Sequence, residues 1–314
     1  METKHDSVLL EEAIDGLAIV PGDVVVDATI GGAGHFAKLI EALDGNGVLV
    51  GIDADRGAIE RGEAAAKGAR ASVHLVEDNF RNLDAILDRL AISSVSKVLF
   101  DLGWSAFHLS SGRGFSFRAE EPLLMTYGTP EAGKTAADMV NTASEEALAD
   151  LFFTLGEERF ARQIARGIVE ARKTKRILTT GDLVEIILAS TPSWYQHRRI
   201  HPATKTFQAL RIAVNDELGA LREGLDAVLS RLTPGGRVAL ITFHSIEDRI
   251  VKTVLRDAAH AGKGTLVTKK PIAPSPEELT ANPRARSAKL RIFERCSEDA
   301  SSVNDVHASP YAYA

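Results

Sequence analysis

The chain has 314 residues, 45% of them hydrophobic, and a net charge of −6 at pH 7, which predicts about two domains with a sizeable core. Its polar N-terminus lacks the apolar core of a secretory signal, and no apolar run approaches the roughly 20 residues that cross a bilayer. The single cysteine, Cys296, excludes an intramolecular disulfide and a thiolate metal cluster, so we expect a cytoplasmic protein with no membrane partner.

Four short apolar runs alternate with helical segments in the first 102 residues. This alternation is typical of βαβ units, and continuous apolar runs favour parallel strands that are buried on both faces. The predicted strands are 24–29, 47–53, 72–77 and 97–102, and the predicted helices between them are 33–43, 56–68 and 81–91.

A glycine-rich loop, 31–35 (GGAGH), follows the first predicted strand and opens a helix. Glycines let a ligand approach the backbone closely, and a helix N-terminus offers free N–H groups. Asp53 ends the second strand, 19 residues after Gly34, where a carboxylate can accept hydrogen bonds from both hydroxyls of a ribose. These features predict a nucleoside-containing cofactor and leave NAD and S-adenosylmethionine open. Asn79 and Phe80 after the third strand, and the order of the last elements, favour S-adenosylmethionine.

Asp101 lies near the end of the fourth predicted strand, 97–102, and Gly103, Trp104 and Ser105 follow that strand. In open parallel sheets, ligands bind just beyond the carboxyl ends of the strands. A carboxylate with an aromatic ring close behind it therefore makes Asp101, Trp104 and Ser105 the candidate catalytic segment.

Residues 110–206 contain predicted helices and no convincing strand. We expect Ser144 to cap a helix at 145–155, Thr180 to cap one at 181–190, and Pro202 to lie in a first helical turn. Two amphipathic helices follow, through 207–214 and 221–232, and then a turn at 233–237 and strands at 237–243 and 288–295. The predicted organisation is an α/β domain of residues 1–109 and 207–296, a helical insertion of residues 110–206, and a disordered tail of residues 297–314.

The predicted insertion is basic although the whole chain is acidic. Between Arg159 and Arg211 there are eleven arginines and lysines and three acidic residues. Arg159, Arg162, Arg166 and Lys173 recur at helical spacing opposite apolar residues. Such a stripe can contact phosphates without reading sequence, so we expect the insertion to bind a polyanion.

Nine motifs in order give the chain a resemblance to the RsmH/MraW family, the small-subunit ribosomal RNA cytosine-N4 methyltransferases. The resemblance covers nearly all of residues 5–295, and the blocks at 113–118, 201–211 and 282–291 are its most specific parts. The motifs are 5–11 (HDSVLLE), 27–35 (DATIGGAGH), 51–55 (GIDAD), 79–80 (NF), 101–103 (DLG), 113–118 (RGFSFR), 201–211 (HPATKTFQALR), 243–245 (FHS) and 282–291 (NPRARSAKLR).

The resemblance implies a doubly wound class I (Rossmann-like) methyltransferase core with an inserted all-helical domain. It implies S-adenosyl-L-methionine as the methyl donor. The acceptor it implies is a cytosine in the decoding centre of 16S rRNA, within the small ribosomal subunit, with no DNA partner. By position, the implied cofactor contacts are Ala33, Gly34, His35, Asp53, Phe80, Asp101 and His108.

The chain departs from the family pattern in the segment after Asp101. His108 stands where the family usually has glutamine, and an imidazole cannot reproduce the paired hydrogen bonds of an amide. The family's acidic run is replaced at 122–128 by PLLMTYG, which lacks both carboxylates and the arginine. A role for 122–128 in substrate contact is therefore in doubt.

Methylation of an exocyclic amine is a direct displacement, and it requires an in-line approach and an acceptor for an amine N–H. Asp101 is the best-placed acceptor, and Trp104 or Phe107 could stack on an extruded base. Methylation at ring carbon C5 would need a thiolate, and the single cysteine, Cys296, lies beside no motif, so the sequence favours the amine as the acceptor. The displacement requires no metal. The predicted RNA contacts are Arg113, Arg118, Arg162, Arg166, Lys173, Arg198, Arg199, Arg284 and Arg286.

Two alternatives remain at this stage. The first is a ribosome-assembly factor that binds S-adenosylmethionine but has lost catalysis, and the second is an NAD-dependent oxidoreductase. A homodimer is also compatible with the sequence.

Overall fold

The structure is a computed structural model of the chain, and it describes residues 7–103, 106–128 and 134–297. The described residues form two compact units. The α/β unit comprises 7–53, 59–103 and 222–297, and the helical unit comprises 54–58, 106–128 and 134–221. Residues 207–221 belong to the helical unit, whereas the sequence assigned them to the α/β domain. The reason is packing, because Phe207 and Leu210 lie in the helical core.

A seven-stranded sheet forms the centre of the α/β unit, in the order β3-β2-β1-β4-β5-β7-β6. β1 to β5 are parallel, and β7 runs antiparallel to both β5 and β6. This doubly wound order confirms the predicted fold class. The strands are β1 (Val24–Asp27), β2 (Val48–Asp53), β3 (Ser72–Glu77), β4 (Val95–Asp101), β5 (Leu232–Thr242), β6 (Gly264–Leu266) and β7 (Lys289–Arg295).

The residues predicted to form a turn, 233–237, belong to β5, where they interrupt the regular pairing with β4. Leu232 pairs with Val95, and the next paired residues are Arg237 and Lys97. Residues 233–236 therefore bulge out of the ladder, and Gly235 adopts a positive φ of 71° there. β6 was not predicted, because three residues are too few to show a pattern.

Helices flank the sheet. They are Leu10–Leu17, Gly34–Ala42, Leu83–Arg89, Ser245–His260 and Pro276–Ala281, with short 3₁₀ helices at Phe80–Asn82 and Pro283–Ser287. Arg56–Ala65 and Glu217–Arg231 each contribute residues to both units. Continuous burial of Val25, Val26, Leu49, Val98 and Leu99 in the central strands confirms that the sheet is covered on both faces.

The helical unit consists of Ala106–Leu109, Ala136–Thr142, Glu145–Gly156, Ala161–Ala171, Thr180–Ser190, Ser193–Gln196 and Ala203–Asn215. Phe152, Ile164 and Leu183 from three of these helices are fully buried in one core. Ser144 caps its helix as predicted. The prediction for Thr180 was wrong: Thr179 is the N-cap, in a reciprocal capping box with Asp182, and the Thr180 hydroxyl donates to the carbonyl of Ala119 instead.

Among the described residues, no helix combines the length and the apolar character that crossing a bilayer would need.

Candidate active site

Three aspartates end neighbouring strands at the carboxyl edge of the sheet. Asp27 ends β1, Asp53 ends β2 and Asp101 ends β4. β1 lies between β2 and β4, and the strand order reverses at this point. Ligands of open α/β sheets bind in the crevice outside such a switch point. The predicted residues Asp53 and Asp101 are thus brought to one edge, together with Asp27.

The loop after β1 is fixed by hydrogen bonds to these strand ends. The Gly31 N–H donates to Asp53 Oδ2 at 2.9 Å, and the Thr29 N–H donates to Asp27 Oδ1 at 3.1 Å. The Thr29 hydroxyl accepts a bond of 2.7 Å from the Asp101 N–H. These hydrogen bonds fix the conformation of the loop backbone, and one of them uses the Oδ2 atom of Asp53.

The loop passes into the helix Gly34–Ala42 through a left-handed residue, Ala33, at φ 63°. Gly34 packs closely against Ser7: a Cβ at position 34 would lie 2.0 Å from Ser7 Oγ, so any larger residue would force the Ser7 side chain to move. Ala33, Gly34 and His35 thus form the start of a helix directly behind the strand ends. This is the arrangement in which backbone N–H groups face a bound ligand.

The side chains of His35 and Asp101 are placed to form an ion pair at the sheet edge. His35 Nδ1 lies 3.4 Å from Asp101 Oδ2, and His35 Nε2 lies 3.1 Å from the carbonyl oxygen of Val8. Both ring nitrogens therefore face oxygen atoms. A neutral imidazole has only one N–H, whereas a protonated ring can donate to both oxygens at once.

Electrostatics favour the protonated ring. Burial acts to lower the pKa of His35, but the hydrogen bond and charge of Asp101 outweigh it and raise the pKa above its ordinary value. The other carboxylate oxygen, Asp101 Oδ1, is buried without a hydrogen-bond partner among the described residues. Asp101 is thus held by one oxygen and has the other available to accept a proton.

Asp27 is the most strongly perturbed carboxyl at this edge. It is fully buried, and burial raises its pKa to about 7, against the lowering effect of nearby His35. Its Oδ2 has no hydrogen-bond partner within the described part of the chain. Sequence reasoning did not name Asp27 as a site residue, although its place at a strand end before the glycine loop is the signal that identified Asp53 and Asp101.

Phe80 follows β3 and is positioned by local contacts. Asn79 Oδ1 accepts from the Arg81 N–H at 3.0 Å and starts the 3₁₀ helix that carries Phe80. The Phe80 ring meets Phe100 of β4 edge to face at 5.4 Å. The ring therefore stands at the β3 end of the sheet edge, consistent with its predicted contact with the cofactor.

The predicted residues after Asp101 fall partly outside the described chain. Trp104 and Ser105 lie there, and their catalytic roles stay predictions. His108 is buried in the helical unit, where its ring packs against Phe115 at 5.2 Å and Tyr127 at 5.0 Å. The Phe115 and Tyr127 rings stack on each other at 5.6 Å. In this unit His108 is one member of an aromatic cluster.

Arg113, predicted as an RNA contact, is held inside the helical unit. Its guanidinium lies 3.2 Å from Asp55 Oδ1, donates to the carbonyl of Tyr127, and lies over the Phe115 ring. The side chain is only 19% exposed. Arg113 thus has a structural role that the sequence could not reveal, because Asp55 is 58 residues away, and its contact with RNA stays a prediction.

Most of the divergent segment 122–128 is buried or half-buried, and Pro122 is exposed. Leu123 and Met125 are buried in the helical core. The Tyr127 hydroxyl donates to Glu217 at 2.7 Å, and Glu217 also accepts two bonds of 2.8 Å from Arg211. Hydrophobic and tyrosine side chains thus take the place of the charged family pattern, and they anchor the segment to the unit.

Most other predicted RNA contacts lie on the surface. Arg162 is exposed on the helix Ala161–Ala171, whose opposite face buries Ile164 and Ile168 as predicted. Arg166 reaches Glu145 at 3.5 Å, and Lys173 reaches Glu170 at 2.7 Å. The other exposed residues of the set are Arg118, Arg198 and Arg199 in the helical unit and Arg284 and Arg286 in the α/β unit.

Comparisons with known proteins identify the family. A profile described as the MraW methylase family matches residues 2–296. The chain is 46% identical over 297 residues to a ribosomal RNA small subunit methyltransferase H of Dictyoglomus thermophilum, covering 94% of this chain and 98% of that protein. It is 43% identical over 311 residues to the protein of the same name from Lachnospira eligens, with the same coverage. This chain belongs to the MraW methylase family.

Similarity to solved structures is weaker. An rRNA methylase from Streptococcus thermophilus aligns with 95% of this chain and 99% of its own length, at 13% identity and a TM-score of 0.45. Family membership confirms the resemblance that the sequence motifs indicated, and it confirms the predicted cofactor, S-adenosylmethionine. The residues at the strand ends fit that cofactor, because Asp53 and Asp27 offer acceptors beside a helix start and a glycine loop.

Proposed function

We propose that this member of the MraW methylase family methylates the exocyclic N4 amine of a cytosine in the decoding centre of 16S rRNA, acting on the small ribosomal subunit. The curated relatives are named as small-subunit rRNA methyltransferases, which supports an rRNA substrate. The observation that carries the N4 proposal is the buried, unpartnered Asp101 Oδ1 beside a cofactor loop, within the part of the chain that the structure describes.

When bound, S-adenosylmethionine supplies an electrophilic methyl group on a sulfonium. Transfer of this methyl group to an amine would leave the electron pair of the C–S bond on sulfur. The amine lone pair is delocalised into the cytosine ring, so an acceptor that takes its N–H hydrogen bond makes the nitrogen more nucleophilic. Asp101 Oδ1 fills this role and takes the proton that N4 loses, while His35 holds Oδ2.

The remaining residues position the reactants. Ala33, Gly34 and His35 would hold the cofactor at the helix start, Asp53 would accept hydrogen bonds from the ribose hydroxyls, and Phe80 would lie beside the adenine. The stacking of Trp104 or Phe107 on an extruded cytosine and the cofactor contact of His108 are proposed from the sequence alone.

RNA binding falls to the exposed cations. Arg118, Arg162, Arg166, Lys173, Arg198 and Arg199 of the helical unit contact phosphates, and Arg284 and Arg286 add a second cationic patch. Arg113 is not included, because its donors are used internally. Exposed guanidinium groups are suited to bidentate phosphate contacts.

The test is single-turnover methylation of small subunits from a strain that lacks this enzyme, with labelled cofactor and mass spectrometry of the nucleosides. We expect one labelled N4-methylcytidine derivative. Label on C5, or none with the cofactor bound normally, would contradict the proposal, and the latter result would favour an assembly factor without catalysis.

A further inference from the structure

An open cavity of about 540 Å³ belongs wholly to the helical unit. Its volume is within the usual range for small-ligand sites. Two aromatic rings, two guanidinium groups, one aliphatic side chain and one threonine surround it. The lining residues are Phe117, Arg118, Arg199, Ile200, His201 and Thr204.

One wall of the cavity is a flat aromatic platform. The Phe117 and His201 rings stack with centroids 4.7 Å apart and an angle of 14° between their planes. Phe207 contacts Phe117 edge to face at 5.4 Å and braces it from the core. His201 itself is exposed, and neighbouring Ile200 is 50% exposed. One face of the His201 ring packs against Phe117, and the rest of the ring is open. A nucleobase can stack on such a ring.

The His201 ring is neutral at neutral pH and has one defined tautomer. Its Nδ1 accepts from the Ala203 N–H at 3.2 Å, so the ring proton is on Nε2. Partial burial and the nearby Arg118 charge lower the pKa of His201. A neutral imidazole stacks without adding charge, and its Nε2–H remains a donor.

The cations of this cavity are unpaired. The Arg118 and Arg199 side chains are exposed and make no hydrogen bond or ion pair among the described residues. Between residues 186 and 215 the sequence has four arginines and lysines and no aspartate or glutamate. By contrast, Arg211 in the same stretch is buried and paired with Glu217. The two open guanidinium groups therefore favour an anionic ligand that comes from outside the chain.

We propose that this cavity binds one nucleotide of single-stranded RNA, with its base stacked on His201 and its phosphate held by Arg118 and Arg199. Basic and aromatic side chains placed together are the usual means of holding single strands without reading sequence. The proposal rests on the proposed function for its choice of RNA. It adds Phe117 and His201, which sequence reasoning did not assign, to the RNA-binding residues.

The experiment measures binding of the full chain to a fluorescein-labelled ten-nucleotide single-stranded RNA by anisotropy, over a series of salt concentrations and without cofactor. We expect His201→Ala to weaken binding about tenfold by loss of stacking, and His201→Phe to stay within about twofold of the parent because the ring is kept. Equal melting temperatures of the variants show that the unit is folded.

The phosphate contacts are tested by salt dependence. Arg118→Gln combined with Arg199→Gln should lower the magnitude of the slope of log affinity against log salt by about 0.7, because both guanidinium groups hold one phosphate and each neutralised phosphate of a single strand contributes about 0.7. The charge-matched control is Lys252→Gln with Lys263→Gln, two exposed lysines of the α/β unit, which should leave the slope unchanged.

Equal binding by the parent and His201→Ala would overturn the proposal, as would an equal loss of slope in the lysine control. If polyglutamate competes with RNA for the protein and His201→Ala does not change the binding of either ligand, the cavity binds an acidic protein segment instead. Because binding is measured without methyl transfer, failure of the proposed function leaves this result standing, and the reverse also holds.

Discussion

Replacing Asp27 with asparagine should stabilise the protein above neutral pH while weakening its ligand site. Asp27 is fully buried, and burial raises its pKa from 3.8 to about 7. A shift of about three units corresponds to about 4 kcal/mol, since each unit is worth about 1.36 kcal/mol. Local relaxation makes this figure an upper limit.

The sign follows from proton binding. Between pH 3.8 and about 7 the folded protein keeps a proton that the unfolded chain has released. The contribution of Asp27 to the free energy of unfolding therefore falls as pH rises through this window, and above about pH 7 the full cost of burying the charge is present. The asparagine amide cannot ionise, so the stability of Asp27→Asn relative to the parent should rise across the same window and level off at about 2–4 kcal/mol near pH 8.

The assay is urea unfolding of both proteins at several pH values from about 4 to 8, comparing differences rather than absolute values. Asp15→Asn is the matched control, because Asp15 is an exposed aspartate of the same unit. A pH-independent difference for Asp27→Asn, or a variant less stable than the parent at about pH 8, would refute the reasoning. Calorimetry should show a larger loss of affinity for cationic S-adenosylmethionine than for S-adenosylhomocysteine, because only the former has the sulfonium charge.

Three further experiments test separate parts of the molecule. Asp101→Asn should slow single-turnover methylation at least about 100-fold at saturating cofactor, since Oδ1 can no longer take a proton, and a near-parental rate would remove Asp101 from the reaction. Arg162→Glu with Arg166→Glu should weaken binding to the small subunit and leave calorimetric cofactor affinity intact, and unchanged binding at physiological salt would make these residues structural. Thr179→Ala should destabilise the helical unit by about 1 kcal/mol in urea, whereas Thr179→Ser should not, and equal losses for both would argue against the observed cap.

The sequence predicted those features that depend on residues close together in the chain. Strand ends at Asp53 and Asp101 and the apolar face of Ala161–Ala171 follow from local patterns, and the structure contains them. The pairing of Arg113 with Asp55 was not predicted, because these residues become neighbours only after folding. Thr179 and Thr180 are adjacent and chemically alike, so only the backbone geometry decides which one caps the helix.

The contact between His35 and Asp101 is the part of the site that no local sequence pattern could predict. His35 lies in the first turn of the helix that is proposed to face the cofactor, and Asp101 ends a strand much later in the chain. One nitrogen of the His35 ring contacts Asp101, and the other contacts the carbonyl oxygen of Val8. The cofactor loop and the proposed proton acceptor are therefore parts of one hydrogen-bonded assembly. A protonated His35 can donate to Asp101 Oδ2 and to the Val8 carbonyl at once, and the raised pKa of His35 extends that state toward higher pH. The helix start that is proposed to position the methyl donor thus also orients the carboxylate that is proposed to accept the proton of the methylated amine.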